Sequence, residues 1–195
     1  MLKIERIEGL TSKGNHSKKR QLILTHTQRN LRDYLIALKT RLNGDYTHIP
    51  HFIIDREGVI YQLMDVNSYS EYMDVSSVNK NSVIISLENL GWLRKNPLSG
   101  SFINWIGNVY KGKIFEKKWR GHFFWQPYTT KQIKSLKNLT KKLCEDLDIP
   151  FHSIGHNVKV DKIENFNGIV SCSNFDAENT DVNPAFNFDI FINKD

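Results

Sequence analysis

Residues 22–27 read Leu-Ile-Leu-Thr-His-Thr: a short apolar run with a polar tip, which is the pattern of a buried strand that ends at His26. From Asn30 onward Leu31, Tyr34, Leu35, Leu38 and Leu42 recur at helical spacing, and Asn43-Gly44 supplies the stop. Strand followed by helix is thus the opening unit. His48 to Asp55 and Val59 to Asp65, joined by Arg56-Glu57-Gly58, read as a hairpin with a short glycine-containing turn. A further apolar strand is expected at Ser82 to Leu90. The strongest helical signal runs from Thr130 to Leu147, where Ile133, Leu136, Leu139, Leu143 and Leu147 form one stripe, Thr129-x-x-Gln132 fits a capping box and Ile149-Pro150 ends the run. Strands alternating with two long helices, plus one hairpin, predict an α/β fold with a mixed sheet flanked by helices.

A chain of 195 residues, 39% of them hydrophobic, can bury one substantial core, so a single domain over 1–195 is expected. No apolar stretch approaches the length of a membrane span, and the first twenty residues lack the apolar stretch of a secretory signal, so neither membrane insertion nor an export signal is expected. The formal charge of +6 favours acidic partners, but charge alone cannot choose among nucleic acid, an anionic wall polymer and anionic lipid. The basic residues fall in Lys18 to Arg20, Lys111 to Arg120 and Lys134 to Lys142, which reads as a solvated surface. Two cysteines, Cys144 and Cys172, are too few for a disulfide framework. Residues 91–128 mix tryptophan, phenylalanine and tyrosine with lysine and arginine, and they read as an insertion that either packs its aromatics inward or offers them to sugars or bases.

Five blocks, LILTHT, HFIIDREGVIYQL, NSVIISLENL, the capped helix and GIVSCSNFDAENTDVNPAFNF, occur in this order. Together they resemble the N-acetylmuramoyl-L-alanine amidases of the phage lysozyme and peptidoglycan-recognition type, over about two thirds of the chain. The aromatic insertion and the first twenty residues lie outside the resemblance.

The resemblance implies a zinc ion held by His26, Cys172 and Asp181, with His156 as the alternative to Cys172 for the middle ligand. Thiolate is an acceptable zinc ligand, and catalytic zinc usually keeps three protein ligands and one open position. Such a site would hydrolyse the amide between the lactyl group of muramic acid and L-alanine, with peptidoglycan or a muropeptide as the expected ligand. Nucleic acid is not the expected partner, and a protein partner stays open. A phage-encoded protein acting on the wall after release would fit the same resemblance.

Besides Cys172, which stands where the family has a histidine, three positions depart from the family pattern. Ser86 stands where many members carry the catalytic glutamate, Asn179 where some place a lysine, and Pro50 where certain phage amidases have a tyrosine. Glu88, two residues beyond Ser86, is the expected substitute base, since residues two apart on a strand share a face. Neutralising a nearby basic residue is its alternative role. His48, His51 and His152 read as structural. A degenerate amidase scaffold that binds without cleaving is the competing functional reading.

Overall fold

A computed structural model describes residues 3–10, 12–16, 18–155 and 158–193. His156 therefore lies outside the described residues. In chain order the strands are β1 (Ile4–Arg6), β2 (Gly14–Asn15), β3 (Gln21–His26), β4 (Phe52–Ile54), β5 (Ile60–Gln62), β6 (Ser68–Tyr69), β7 (Ser82–Leu87), β8 (Trp92–Lys95), β9 (Phe102–Ile103), β10 (Val109–Tyr110), β11 (Phe115–Trp119), β12 (His122–Trp125) and β13 (Gly168–Ser171). The helices are α1 (Leu31–Thr40), α2 (Ser76–Asn81), α3 (Thr130–Leu147) and α4 (Phe188–Asn193).

Six strands form the central sheet in the order β1-β5-β4-β7-β3-β13. Only β4 and β5, the expected hairpin, pair antiparallel; the other neighbours are parallel. This is the mixed sheet that the alternation of strands and helices predicts. All six residues of β3 and all six of β7 are buried, because both faces of the sheet are covered.

On one face Leu22, Leu24, Phe52, Ile54, Val83 and Ile85 pack against Leu136, Leu139 and Leu143 of α3 and Phe191 of α4. Each leucine of that stripe is worth roughly 1.5–3 kcal/mol of burial. On the other face Ile23, Ile84 and Val170 meet Val78 of α2, while Ile53 meets Tyr34 and Leu38 of α1.

The capping box forms at the start of α3, where Thr129 Oγ1 accepts from the Gln132 N–H at 3.1 Å and Gln132 Oε1 accepts from the Thr129 N–H at 3.1 Å. The helix stops at Asp148, in the left-handed region at φ 54°, one residue before Ile149-Pro150. The hairpin strands are shorter than the expected runs, and β7 ends at Leu87 rather than Leu90.

The insertion builds a sheet of its own, β10-β9-β8-β12-β11. Its interior is aromatic: Trp125 is fully buried, Trp119 lies 5.5 Å from it between ring centroids, and Trp92 stacks on His122 at 4.6 Å. Among the described residues no helix is long and apolar enough to cross a membrane.

Candidate metal centre and its cleft

β3, β4, β7 and β13 run parallel, so their carboxyl ends open at one edge of the sheet, the usual place for a ligand in an α/β fold. His26 is the last residue of β3, and Asp181 lies in the segment that follows β13. Their Nε2 and Oδ1 atoms are 3.1 Å apart, and both side chains are almost fully buried. Neither of these two atoms has a hydrogen-bond partner among the described residues. Two inward-facing polar atoms left unsatisfied at one point would be costly unless a third group occupied it.

Gly91 keeps that point open. Its φ is +72°, and a Cβ there would lie 2.7 Å from His26 Nε2. A glycine satisfies both constraints, the left-handed backbone and the close approach. The other ring nitrogen, Nδ1, lies 3.4 Å from the Tyr128 hydroxyl, which accepts the Asn183 N–H at 3.2 Å. Burial holds the His26 imidazole below its ordinary pKa, with the Asp181 charge opposing. The neutral ring that results is the form in which histidine binds metal.

Asp181 is held through its second oxygen, Oδ2, which accepts from Thr25 Oγ1 at 2.6 Å. Thr25, having donated its proton, accepts in turn from the Tyr72 hydroxyl at 3.2 Å. Burial pushes the phenols of both Tyr72 and Tyr34 well up, so they remain neutral donors.

Two further devices fix the segment carrying Asp181. The Arg120 guanidinium, from the β11–β12 turn, donates to the carbonyls of Ser173 at 3.0 Å, Asp176 at 2.8 Å and Asn179. On the other side Asn183 Nδ2 donates to Asn89 Oδ1 and to the Gln126 carbonyl, each at 3.0 Å. The insertion thereby reaches the site through Arg120 and the Gln126 carbonyl.

Cys172 and Glu88 have other close partners. β13 pairs with β3 so that Ser171 sits beside Leu24; strand alternation then sends Cys172 to the Ile23 and Val170 face. Its sulfur is 3.9 Å from Met73 Sδ, and burial, reinforced by the nearby Asp181 charge, pushes the thiol pKa up, with a hydrogen bond to Thr25 opposing. No group of three His, Cys, Asp or Glu side chains that could hold a metal forms among the described residues. Of the three expected ligands, His26 and Asp181 are the two whose side chains the structure brings within 3.1 Å of each other.

Glu88 lies past the end of β7. Its Oε1 accepts the Leu31 N–H at 3.0 Å and its Oε2 the Arg56 N–H at 3.0 Å. A carboxylate on the first N–H of α1 satisfies a donor that the helix leaves open and opposes the positive end of its dipole. That bonding, rather than an acid–base role, accounts for its orientation.

The cleft beside the pair is lined by Tyr34 of α1 and Arg41 just past its end, by Arg29, Tyr46 and His48, and by Trp105 of the insertion. Trp105 Nε1 donates to the Gln28 carbonyl at 2.7 Å, and Arg29 lies over its ring at 4.8 Å. Arg41 covers the Tyr46 ring at 5.2 Å, and His48 stacks on that ring at 5.2 Å. Asp181 is the one carboxylate in this lining. Of the histidines read as structural, His48 therefore stands on the cleft wall, whereas His51, just before β4, is fully buried.

Comparison with known proteins places this geometry. The family model described as N-acetylmuramoyl-L-alanine amidase matches residues 14–167, a span that includes His26 and stops short of Cys172 and Asp181. The fold is similar to the N-acetylmuramoyl-L-alanine amidase LysC from Clostridium intestinale URNW, with 15% identity, TM-score 0.55 and coverage of 98% of this chain and 95% of that one. It is also similar to Drosophila peptidoglycan recognition protein SA, with 11% identity, TM-score 0.54 and coverage of 97% and 91%. A selenomethionine AmpD derivative matches at 14% identity and TM-score 0.52, covering 96% and 92%. A search of curated protein sequences finds no match. With four fifths of its length matched by one family model and its sheet edge built around a buried His26–Asp181 pair, the chain belongs to the N-acetylmuramoyl-L-alanine amidase family.

Proposed function

We propose that this chain is a zinc-dependent amidase that cleaves the bond between the lactyl group of muramic acid and L-alanine in peptidoglycan or a muropeptide. The observation that carries the reading is the pair of buried, unsatisfied polar atoms, His26 Nε2 and Asp181 Oδ1, 3.1 Å apart at the carboxyl edge of the sheet. Zinc, when bound by His26 and Asp181, supplies Lewis acidity toward the scissile carbonyl and toward water. Thr25 and Tyr72 hold the Asp181 carboxylate in its orientation, and Tyr128 holds the His26 ring. Arg29 and Arg41 give the cleft a positive wall suited to a carboxylate-bearing substrate.

Glu88 is committed to two backbone N–H groups, which leaves the proton-transfer role to another residue. His48 is the group assigned to it here. It lines the same cleft, stacked on Tyr46, and imidazole is the side chain suited to exchanging protons near neutral pH.

A second reading, that the scaffold binds wall fragments without cleaving them, is favoured by the orientation of Cys172 and by the engagement of Glu88. Metal content of the purified chain, measured together with release of L-alanine amino groups from purified walls, separates the two. The amidase reading expects bound zinc and amine release that His48→Ala lowers by roughly 10²–10⁴-fold without loss of metal. Muropeptide binding with neither metal nor release would establish the binding protein instead.

A further inference from the structure

The positive charge of this protein belongs to one part of it. Residues 91–128 hold seven lysines and arginines against a single acid, Glu116, a net charge of +6, which equals the formal charge of the whole chain. The remainder carries twenty basic and twenty acidic residues and is neutral. All four tryptophans of the chain, Trp92, Trp105, Trp119 and Trp125, fall in the same segment.

The fold keeps these charges outside. Arg94, Lys95, Lys111, Lys113, Lys117 and Lys118 are exposed, and among the described residues none of them forms an ion pair with a carboxylate. The seventh, Arg120, is spent on the carbonyls of the Asp181 segment. Six like charges on one small sheet and its β10–β11 connection repel one another, a cost that a polyanion offsets and a neutral ligand does not. Phe123, 50% exposed beneath the Lys118 ammonium at 5.7 Å, offers a ring on which a sugar can stack. Trp105, 37% exposed, brings the insertion to the mouth of the cleft.

We propose that the insertion sheet is a docking surface for an anionic polymer attached to the cell wall, which it grips through exposed lysines and arginines while the cleft meets the amide. The wall as the source of the polymer rests on the amidase reading. The polyanion is argued from the charge distribution alone.

The test is sedimentation of the full-length protein with purified walls in the presence of a chelator, which prevents turnover. Walls with their anionic polymers intact are compared with the same walls chemically stripped of them. The proposal expects binding to intact walls that falls steeply with added salt and is lost on stripped walls. Lys117→Glu/Lys118→Glu should weaken it about tenfold or more, while Lys18→Glu/Lys134→Glu, the same charge change on exposed lysines outside the insertion, should leave it nearly unchanged.

Equal binding to both kinds of wall, or equal weakening by the two double variants, would overturn the proposal. Preference for double-stranded DNA over intact walls in a competition would overturn it in favour of nucleic acid. Hydrolysis of a small soluble muropeptide, with metal restored, should proceed equally in wild type and Lys117→Glu/Lys118→Glu. Failure of that hydrolysis in wild type would count against the amidase reading while leaving the binding result to stand or fall separately.

Discussion

His26 and Asp181, remote in the chain, bring Nε2 and Oδ1 within 3.1 Å of each other at the carboxyl edge of the central sheet, with no hydrogen bond to satisfy either atom among the described residues. The surrounding structure maintains this arrangement at some cost. Thr25 holds one side of the Asp181 carboxylate, Tyr128 lies at the far nitrogen of the imidazole, and Gly91 leaves the space between them free.

Gly91→Ala tests that space. The added methyl would lie 2.7 Å from His26 Nε2 on a backbone at φ +72°, a cost of about 1–3 kcal/mol. The protein should remain folded by circular dichroism with a lowered Tm. Zinc affinity, measured by competition with a chromogenic chelator, should fall by at least about tenfold, since disturbing the groups that orient a ligating histidine typically costs that much.

Arg120→Ala should loosen the segment from Ser173 to Asn179. Its guanidinium is half-buried and shares three carbonyls, so the loss expected is about 1–2 kcal/mol after discounting for solvent. Hydrogen exchange should rise in residues 173–181 and not in β3 or β7. Arg120→Lys, which cannot span three acceptors, should recover only part of the protection.

Cys172→Ala should retain the metal. The thiol packs among Ile23, Val170 and Met73, so the variant should lose about 1 kcal/mol of stability and bind zinc as wild type does. Loss of zinc in this variant, read by metal analysis of folded protein, would return the sulfur to the ligand set.

Acid stability should depend on His51. Its Nε2 donates to the Ser68 carbonyl at 2.9 Å, and its Nδ1 accepts the Ile84 N–H at 3.0 Å, so both nitrogens are committed in the neutral ring. Burial, with a smaller contribution from the Lys19 charge, lowers its pKa to about 3, against the opposing pull of the Ser68 carbonyl and Asp65. The unfolded chain therefore binds a proton near pH 6.5 that the folded chain refuses until about pH 3. Stability is complete above the unfolded value and declines as pH falls through that window, by an amount on the order of several kcal/mol. Urea midpoints of wild type should drop steadily from pH 7 to pH 4, and those of His51→Gln should drop less.

Much of this architecture was legible in the sequence because its signals were local. The apolar run ending at His26, the hairpin around Arg56-Glu57-Gly58 and the Thr129–Gln132 capping box each depend on neighbours in the chain, and each appears in the structure. The insertion's separate sheet was not read, because lysines interleave its aromatics without a clean alternation, and its β11–β12 pairing shifts register between Glu116 and Trp119. The meeting of His26 with Asp181 followed from the resemblance. The orientation of Cys172 depends on the register of β13 against β3, which spacing does not encode. Glu88 shows the same limit: its residue type suits a base, but the open N–H groups of Leu31 and Arg56 that claim it come from distant segments. Thr25 and Tyr72 became visible as supports of Asp181 only once the strands were paired.

The most direct measurement is zinc titration of the metal-free protein by calorimetry, performed on wild type, His26→Ala and Asp181→Ala, each verified as folded. The account predicts one equivalent bound tightly by wild type and a loss of at least about a hundredfold in affinity in each variant. Wild type that takes up no zinc, or variants that bind it as tightly as wild type does, would contradict it.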